Sequence, residues 1–116
     1  MSLRTKRIYE DPESDDGERI LVDRLWPRGV AKENAELDGW MQEIAPSDEL
    51  REWFDHDEGK WDGFVDRYRD ELAAKEELVE ELRRKADDGT VTLLYAAKDK
   101  QHNNAVALKQ IIEDDA

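Results

Sequence analysis

Short apolar runs and longer helical stripes of apolar residues follow one another along the chain. Residues 19–25 and 90–97 each contain a continuous apolar run, which is typical of a strand covered on both faces of a sheet. Residues 4–9 form a shorter strand candidate. Because helical stripes separate the two long runs, the order of elements favours parallel strands joined by right-handed crossovers. The pattern therefore predicts an α/β fold in a single domain, residues 1–116, with a small mostly parallel β-sheet of three or four strands flanked by helices.

The first two helical segments have recognisable starts and stops. Asn34 is expected to cap a helix that ends at Pro46, and Ser47 is expected to cap a short helix that ends before a turn at 56–59. Both segments place apolar residues three or four positions apart, so each presents one apolar stripe to the core. The inward residues are Leu37, Trp40, Met41 and Ile44 in the first helix, and Leu50, Trp53 and Phe54 in the second.

The later helical pattern is longer. An apolar stripe runs over residues 61–86 and stops at 87–89, and its spacing leaves open whether the helix bends near 73–74. After the strand at 90–97, a last helix is predicted from about Lys100 to Glu113, with Asp99 as its cap.

The composition is strongly acidic. The chain holds 31 Asp and Glu against 18 Lys and Arg, a net charge of −13, and most of the excess acid lies in residues 36–90. Such a surface suits a protein that stays soluble in concentrated salt, where self-repulsion is screened over a few ångströms, so we hypothesise a halophilic source. No apolar stretch reaches the roughly 18 residues of a membrane span, and the first residues lack the apolar core of a signal peptide. A cytoplasmic protein with no membrane partner is expected.

Several chemistries lack the residues that they need. The chain has no cysteine, which excludes disulfides, thiolate nucleophiles and cysteine-based metal sites. Glycine-rich phosphate loops, the GxSxG motif of serine hydrolases, the HExxH motif of metalloproteases and EF-hand loops are absent as well. His56, between Asp55 and Asp57, is interpreted as part of a turn. No metal site is predicted, and the pattern indicates no particular cofactor.

Two loops that follow the apolar strands are expected to form the functional site. The first contains Arg24, Trp26 and Arg28, and the second contains Lys98, Asp99, His102 and Asn103. Ligands of open parallel sheets bind beyond the carboxyl ends of the strands, where two such loops meet if their strands are neighbours. Arginine forks and a helix N-terminus both favour phosphate or carboxylate groups. The sequence therefore predicts an anionic small-molecule ligand.

Each charged candidate has a catalytic or binding role and a structural alternative. His102 is the candidate general acid or base, because imidazole changes its charge near neutral pH, and Asp99 or Asp23 is available to orient it. Alternatively, His102 beside Asp99 only completes a helix cap. Arg24 and Arg28 either clamp an anion or form structural ion pairs with the acidic helices.

Two aromatic residues near these loops have the same ambiguity. Trp26 either stacks on a planar ligand or covers the edge of the sheet, and cover is favoured because four tryptophans in so short a chain indicate a Trp-rich core. Tyr95 is able to present a hydroxyl to the site, although its strand mainly needs apolar bulk.

Two motifs resemble a known family. They are VDRLWPRG at 22–29 and LLYAAKD at 93–99, the latter followed by His102 and Asn103. With further agreement over nearly the whole chain, the sequence resembles the domain of unknown function 488 family, in its YeaO-like branch. The resemblance implies a small cytoplasmic α/β domain with no established reaction. It adds weight to the residues within the two motifs, namely Arg24, Trp26, Arg28, Tyr95, Lys98, Asp99, His102 and Asn103.

Three functions follow from these observations. The first is a small enzyme or ligand-binding domain for a phosphate- or nucleotide-like anion, with Arg24 and Arg28 as the clamp, Lys98 as a further donor and His102 as acid or base. The second is a noncatalytic interaction or regulatory module whose acidic helices bind a basic partner. The third is a nucleic-acid-associated protein that uses the basic loop, which the net charge disfavours. No feature predicts an oligomeric state.

Overall fold

Four parallel strands form the centre of the molecule. The structure, a computed structural model, describes residues 1–114. Its sheet has the strand order β1-β4-β2-β3, and every pairing in it is parallel. The strands are β1 (Ser2–Arg7), β2 (Glu18–Leu21), β3 (Gly39–Trp40) and β4 (Thr90–Tyr95). The predicted α/β fold with a small parallel sheet is confirmed, and β2 and β4 are its two central strands.

Helices connect and cover the strands. They are α1 (Lys32–Ala35), α2 (Asp48–Phe54), α3 (Trp61–Leu72), α4 (Glu76–Asp88) and α5 (Asn104–Asp114), with 3-10 turns at Ser14–Asp16, Gln42–Ile44 and Glu58–Lys60. Within residues 1–114, no helix combines the length and the apolar character that crossing a bilayer would require.

The helix predicted from Asn34 to Pro46 is wrong. Helix α1 has a single turn and ends at Ala35, and the φ of the next residue, Glu36, is left-handed at 49°. The chain then runs along the open edge of β2, and the Met41 amide donates to the carbonyl of Leu21 at 2.9 Å. Because β2 has unpaired backbone groups on that edge, hydrogen bonding to them outweighs the helical spacing of the apolar residues.

The strands after which the candidate loops begin are shorter than predicted. Strand β2 ends at Leu21 rather than at residue 25, although the Val22 amide still donates to the carbonyl of Leu94 at 3.1 Å. Strand β4 ends at Tyr95 rather than at residue 97. Beyond these points the two segments no longer pair as strands, and they are bridged by the Asp23 carboxylate, which accepts the Ala96 amide at 2.9 Å. The shortened strands leave room for a cleft.

The predicted boundaries of the remaining helices are partly confirmed. Ser47 caps α2, since its hydroxyl accepts the Leu50 amide at 3.1 Å. The long stripe divides into α3 and α4, which answers the open question of a bend near 73–74. Helix α5 begins later than predicted, and Asn103 rather than Asp99 caps it, because the Asn103 Oδ1 accepts the Val106 amide at 2.9 Å.

Apolar residues cover both faces of the sheet. The larger cluster joins the sheet to α2, α3, α4 and α5, and its most buried members include Ile20, Phe64, Tyr68, Leu82, Leu93 and Leu108. The smaller cluster lies on the opposite face and consists of Ile8, Leu21, Ala35 and Leu94, with Trp26 packed against it. Because both faces are covered, the openings of the fold lie at the ends of the strands.

Candidate functional site

A cleft lies beyond the carboxyl ends of β2 and β4. The two strands pair directly, with Leu21 opposite Leu94, so the loops that follow them meet as predicted. The cleft has a volume of about 470 Å³. Phe54 of α2 and Phe64 of α3 contribute apolar wall, while the loops contribute charged and polar groups. Size and lining match those of a small-molecule site.

Arginine dominates the charge of this cleft. Arg24, Arg28 and Arg51 line it, whereas Asp23 is the one carboxylate among its described lining residues. The formal charge of the lining is therefore positive, although the protein as a whole carries −13. A local excess of positive charge in a concave site concentrates anions there.

Arg24 is held in place but keeps an unused donor. Its Nη2 donates to the carbonyl of Ala45 at 3.5 Å, and its Nε lies 3.9 Å from an oxygen of the exposed Asp48 carboxylate. The Nε is buried and has no hydrogen-bond acceptor within the described residues. A buried donor without an acceptor is rare, because leaving it unpaired costs about 1–3 kcal/mol.

The other two arginines are more open. Arg28 is exposed, and its side chain forms no ion pair within residues 1–114. The loop around it is anchored through its backbone, since the Tyr9 hydroxyl donates to the Arg28 carbonyl at 2.8 Å. Arg51 contacts Asp48 at 3.5 Å on an exposed surface, where such pairs contribute little. Both guanidinium groups remain available to a ligand.

Asp23 is half-buried in the lining of the cleft. Its Oδ2 accepts the Ala96 amide at 2.9 Å, which links the loop after β2 to the loop after β4. Burial raises the pKa of Asp23, and hydrogen bonds from the Asn104 side chain and the Ala96 amide offset only part of that effect. The sequence analysis considered Asp23 only as a partner for His102, and in the structure Asp99 has that position.

His102 and Asp99 form a tightly organised pair. Asp99 Oδ1 accepts the Gln101 and His102 amides at 2.9 and 3.0 Å, and Asp99 Oδ2 lies 3.2 Å from Nδ1 of the His102 ring. The Gln101 amide, the His102 amide and the His102 ring lower the pKa of Asp99. Trp61 and the His102 ring pack edge to face, with their centroids 5.1 Å apart. Asp99 therefore orients His102, which lines the cleft.

Trp26 closes one side of the cleft. Its Nε1 donates to the carbonyl of Val30 at 2.7 Å, and its ring meets Trp40 edge to face at 5.4 Å. Trp26 also packs on the smaller core cluster. These contacts agree with the covering role that the sequence favoured.

Known proteins resemble this chain over most of its length. A family model described as the inactive DUF488-N3 subclade matches residues 2–116. The chain belongs to this family. It is 44% identical to the uncharacterised protein YeaO of Escherichia coli K12 over 108 residues, which cover 93% of this chain and 94% of YeaO. It is 39% identical to the uncharacterised protein Rv3073c of Mycobacterium tuberculosis H37Rv over 110 residues, which cover 95% and 92% of the two chains. No solved structure matches it significantly. The resemblance to the domain of unknown function 488 family is confirmed.

Only some of the candidate residues that lie in the two DUF488 motifs line the cleft. Arg24, Trp26, Arg28, His102 and Asn103 do so. Asp99 and Lys98 do not belong to the lining, although Asp99 contacts the ring of His102, which does. Tyr95 belongs to the core, with 2% of its surface exposed. Burial raises the pKa of Tyr95.

Asn103 lies on the wall of the cleft but uses both ends of its side chain within the protein. Besides its cap contact to the Val106 amide, its Nδ2 donates to the carbonyl of Asp99 at 2.8 Å. With 4% of its surface exposed, Asn103 is a positioning residue for the loop that carries His102.

Arg51, His56 and Tyr9 line the cleft but were missed by sequence reasoning. The sequence predicts a turn at His56, which describes its local surroundings, and Arg51 is an exposed residue of α2. Neither position carries a local signal for the cleft, because α2 reaches the ends of β2 and β4 only through tertiary packing. A contact between separate elements is needed to identify them.

Proposed function

We propose that this protein is a binding domain for a small anionic ligand of the phosphate or carboxylate class. One observation carries the proposal: the buried Nε of Arg24 lacks an acceptor in a cleft where Arg28 and Arg51 also converge. An oxyanion supplies several acceptor oxygens to such donors, and arginine recognises it through parallel hydrogen bonds. The apolar wall at Phe54 and Phe64 suits a ligand that also has a nonpolar or planar part.

Binding without turnover is the form of this function that we favour. The matching family model is described as an inactive subclade, which argues against a reaction in this chain. His102, oriented by Asp99, then supplies a hydrogen-bonding group to the wall. Its predicted action as a general acid or base, with Asp99, stays a prediction.

Replacement of Arg24 or Arg28 by Ala is expected to weaken anion binding about 10–100-fold. Each change removes charge-assisted hydrogen bonds that contribute about 1.5–3 kcal/mol, and 1.4 kcal/mol corresponds to a factor of ten. The measurement is isothermal titration calorimetry with sulfate, phosphate monoesters and nucleotides. It should be made at low and at molar salt, because we also propose from the acidic composition that the protein is adapted to concentrated salt.

Arg84→Ala is the matched control, because Arg84 is an exposed arginine on α4 that does not belong to the cleft lining. It should bind anions as the unaltered protein does. If none of the anions binds, or if the Arg84 variant loses affinity as much as the Arg28 variant does, the proposal is wrong. In that case the acidic helices and a basic partner become the better explanation.

The affinity for sulfate is expected to fall as the pH rises through the titration of Asp23. The pKa of this carboxyl is raised, so the neutral form persists above the usual value of about 4, and ionisation then places a negative charge beside the anion. Asp23→Asn should bind sulfate more tightly at neutral pH, because the amide oxygen still accepts the Ala96 amide while the charge is gone. Calorimetric titrations over a pH series measure both effects.

Comparison with the variant isolates Asp23, because any contribution from His56 and His102 is present in both proteins. Equal pH dependence in the two proteins would show that Asp23 does not face the bound anion. Sulfate is the suitable probe, since its own charge is constant over the range.

A further inference from the structure

We propose that Glu58, Asp99 and His102 bind a divalent transition-metal ion, of which zinc fits best, at the edge of the cleft. Glu58 belongs to the turn before α3, whereas Asp99 and His102 belong to the turn before α5. One ligand atom from each residue lies within 4.8 Å of the other two. The Nδ1 of His102 is 3.2 Å from Asp99 Oδ2 and 3.9 Å from Glu58 Oε1.

These separations fit a common metal ion. Zinc lies about 2.0–2.2 Å from imidazole nitrogen and carboxylate oxygen, so two of its ligands stand roughly 3–4.5 Å apart. The three atoms therefore need only small side-chain movements to enclose the ion. One imidazole and two carboxylates favour zinc or a similar transition metal over calcium and magnesium, which prefer oxygen alone.

The charges of the cluster also call for a cation. Neither Glu58 nor Asp99 forms an ion pair with lysine or arginine within residues 1–114, and the ionic partner of both is the His102 ring. Two carboxylates thus share one imidazole as their ionic partner. A hydrogen bond from His102 Nδ1 explains why Asp99 Oδ2 lies 3.2 Å away. It does not explain why the Glu58 carboxylate also lies near the same nitrogen, at 3.9 Å.

The two ligands from the second turn are already oriented. Both amides that bind Asp99 use its Oδ1, so its Oδ2 points toward the His102 ring. Contact with Trp61 restricts the rotation of that ring. Such outer contacts hold metal ligands in position and reduce the ordering that binding requires.

A bound ion would leave coordination positions for water or for an anion, because three protein ligands do not complete the shell of zinc. Since His102 lines the cleft, the metal would add positive charge to the site that Arg24 and Arg28 form. This connection to the ligand rests on the proposed function, whereas binding of the metal itself does not.

The test is calorimetric titration of chelator-treated protein with zinc chloride, together with the visible absorption of a cobalt-substituted sample. One ion per chain is expected, and His102→Ala should weaken its binding by at least about tenfold. Glu58→Gln should weaken it as well, and because the Glu58 side chain is 72% exposed, this change leaves the fold intact.

Glu77→Gln is the matched control, since Glu77 is an exposed glutamate on α4, outside both the cluster and the cleft lining. It should bind zinc with unchanged affinity. The proposal is overturned by an absence of saturable binding, by an unchanged affinity in both the His102 and Glu58 variants, or by an equal loss in the Glu77 variant. A metal that binds while sulfate does not would refute the proposed anion function and leave the metal site standing.

Discussion

Replacement of Asp16 by Asn is expected to lower the free energy of unfolding by about 3–5 kcal/mol, the range found when one partner of a buried ion pair is removed. Asp16 contacts Arg19 at 2.5 Å and Lys6 at 3.2 Å, and its side chain is only 6% exposed. The variant would leave two cations near the start of β2 without their shared carboxylate. Against a typical total of 5–15 kcal/mol for a small domain, this loss is large.

Urea denaturation measures the effect, and Asp15→Asn is its matched control. Asp15 is the neighbouring aspartate, and it contacts Arg4 at 3.4 Å with both side chains more than half exposed. Exposed pairs contribute about 0–1 kcal/mol, so this variant should unfold near the urea concentration of the unaltered protein. Similar shifts in the two variants would show that the Asp16 cluster is not a buried ion pair in solution.

The same cluster predicts a loss of stability in acid. Burial alone would raise the pKa of Asp16, but hydrogen bonds from the Glu13 amide, Lys6 and Arg19 outweigh it and lower the pKa. The stabilisation is therefore fully present above the usual carboxyl pKa of about 4 and is lost as the pH falls through the lower folded value. Denaturation in a descending pH series should show a smaller decline for the Asp16 variant.

Gly17→Ala is expected to destabilise the protein by about 3–5 kcal/mol, as backbone strain and overpacking add together. Gly17 has φ 66° and ψ −136°, a conformation that residues with a Cβ rarely adopt. A Cβ at this position would overlap the backbone carbonyl oxygen of Thr90 and lie 2.7 Å from its carbonyl carbon. Because Thr90 is the first residue of the central strand β4, its backbone has little freedom to move away.

Gly29→Ala separates the contribution of the clash from that of the backbone angle. Gly29 also has a positive φ, 78°, but a Cβ there would meet nothing within 4 Å. Its replacement should lower the free energy of unfolding by about 1–2 kcal/mol, because only the cost of a left-handed backbone conformation applies there. Thermal or urea unfolding of both variants gives the comparison, and equal losses would contradict the close approach of Gly17 to β4.

The sequence alone predicts those strands and helices whose signals lie within a single segment of the chain. The apolar runs around Ile20 and Leu93 predict buried parallel strands, because only a strand covered on both faces needs such continuity. Ser47 followed by a short apolar stripe predicts a capped helix, because cap and stripe lie within one segment. Adjacent central strands then imply that Arg24 and His102 face one cleft.

Tertiary structure decided what depends on residues far apart in the chain. The segment from 37 to 41 has helical spacing, yet the unpaired edge of β2 draws it into an extended pairing. Arg51 and Glu58 belong to locally polar segments. Arg51 joins the cleft, and Glu58 comes close to Asp99 and His102, only because α2 and α3 pack over the ends of the sheet. Periodicity encodes which side of an element is buried, whereas open hydrogen-bonding edges and contacts between distant segments exist only once the chain has folded.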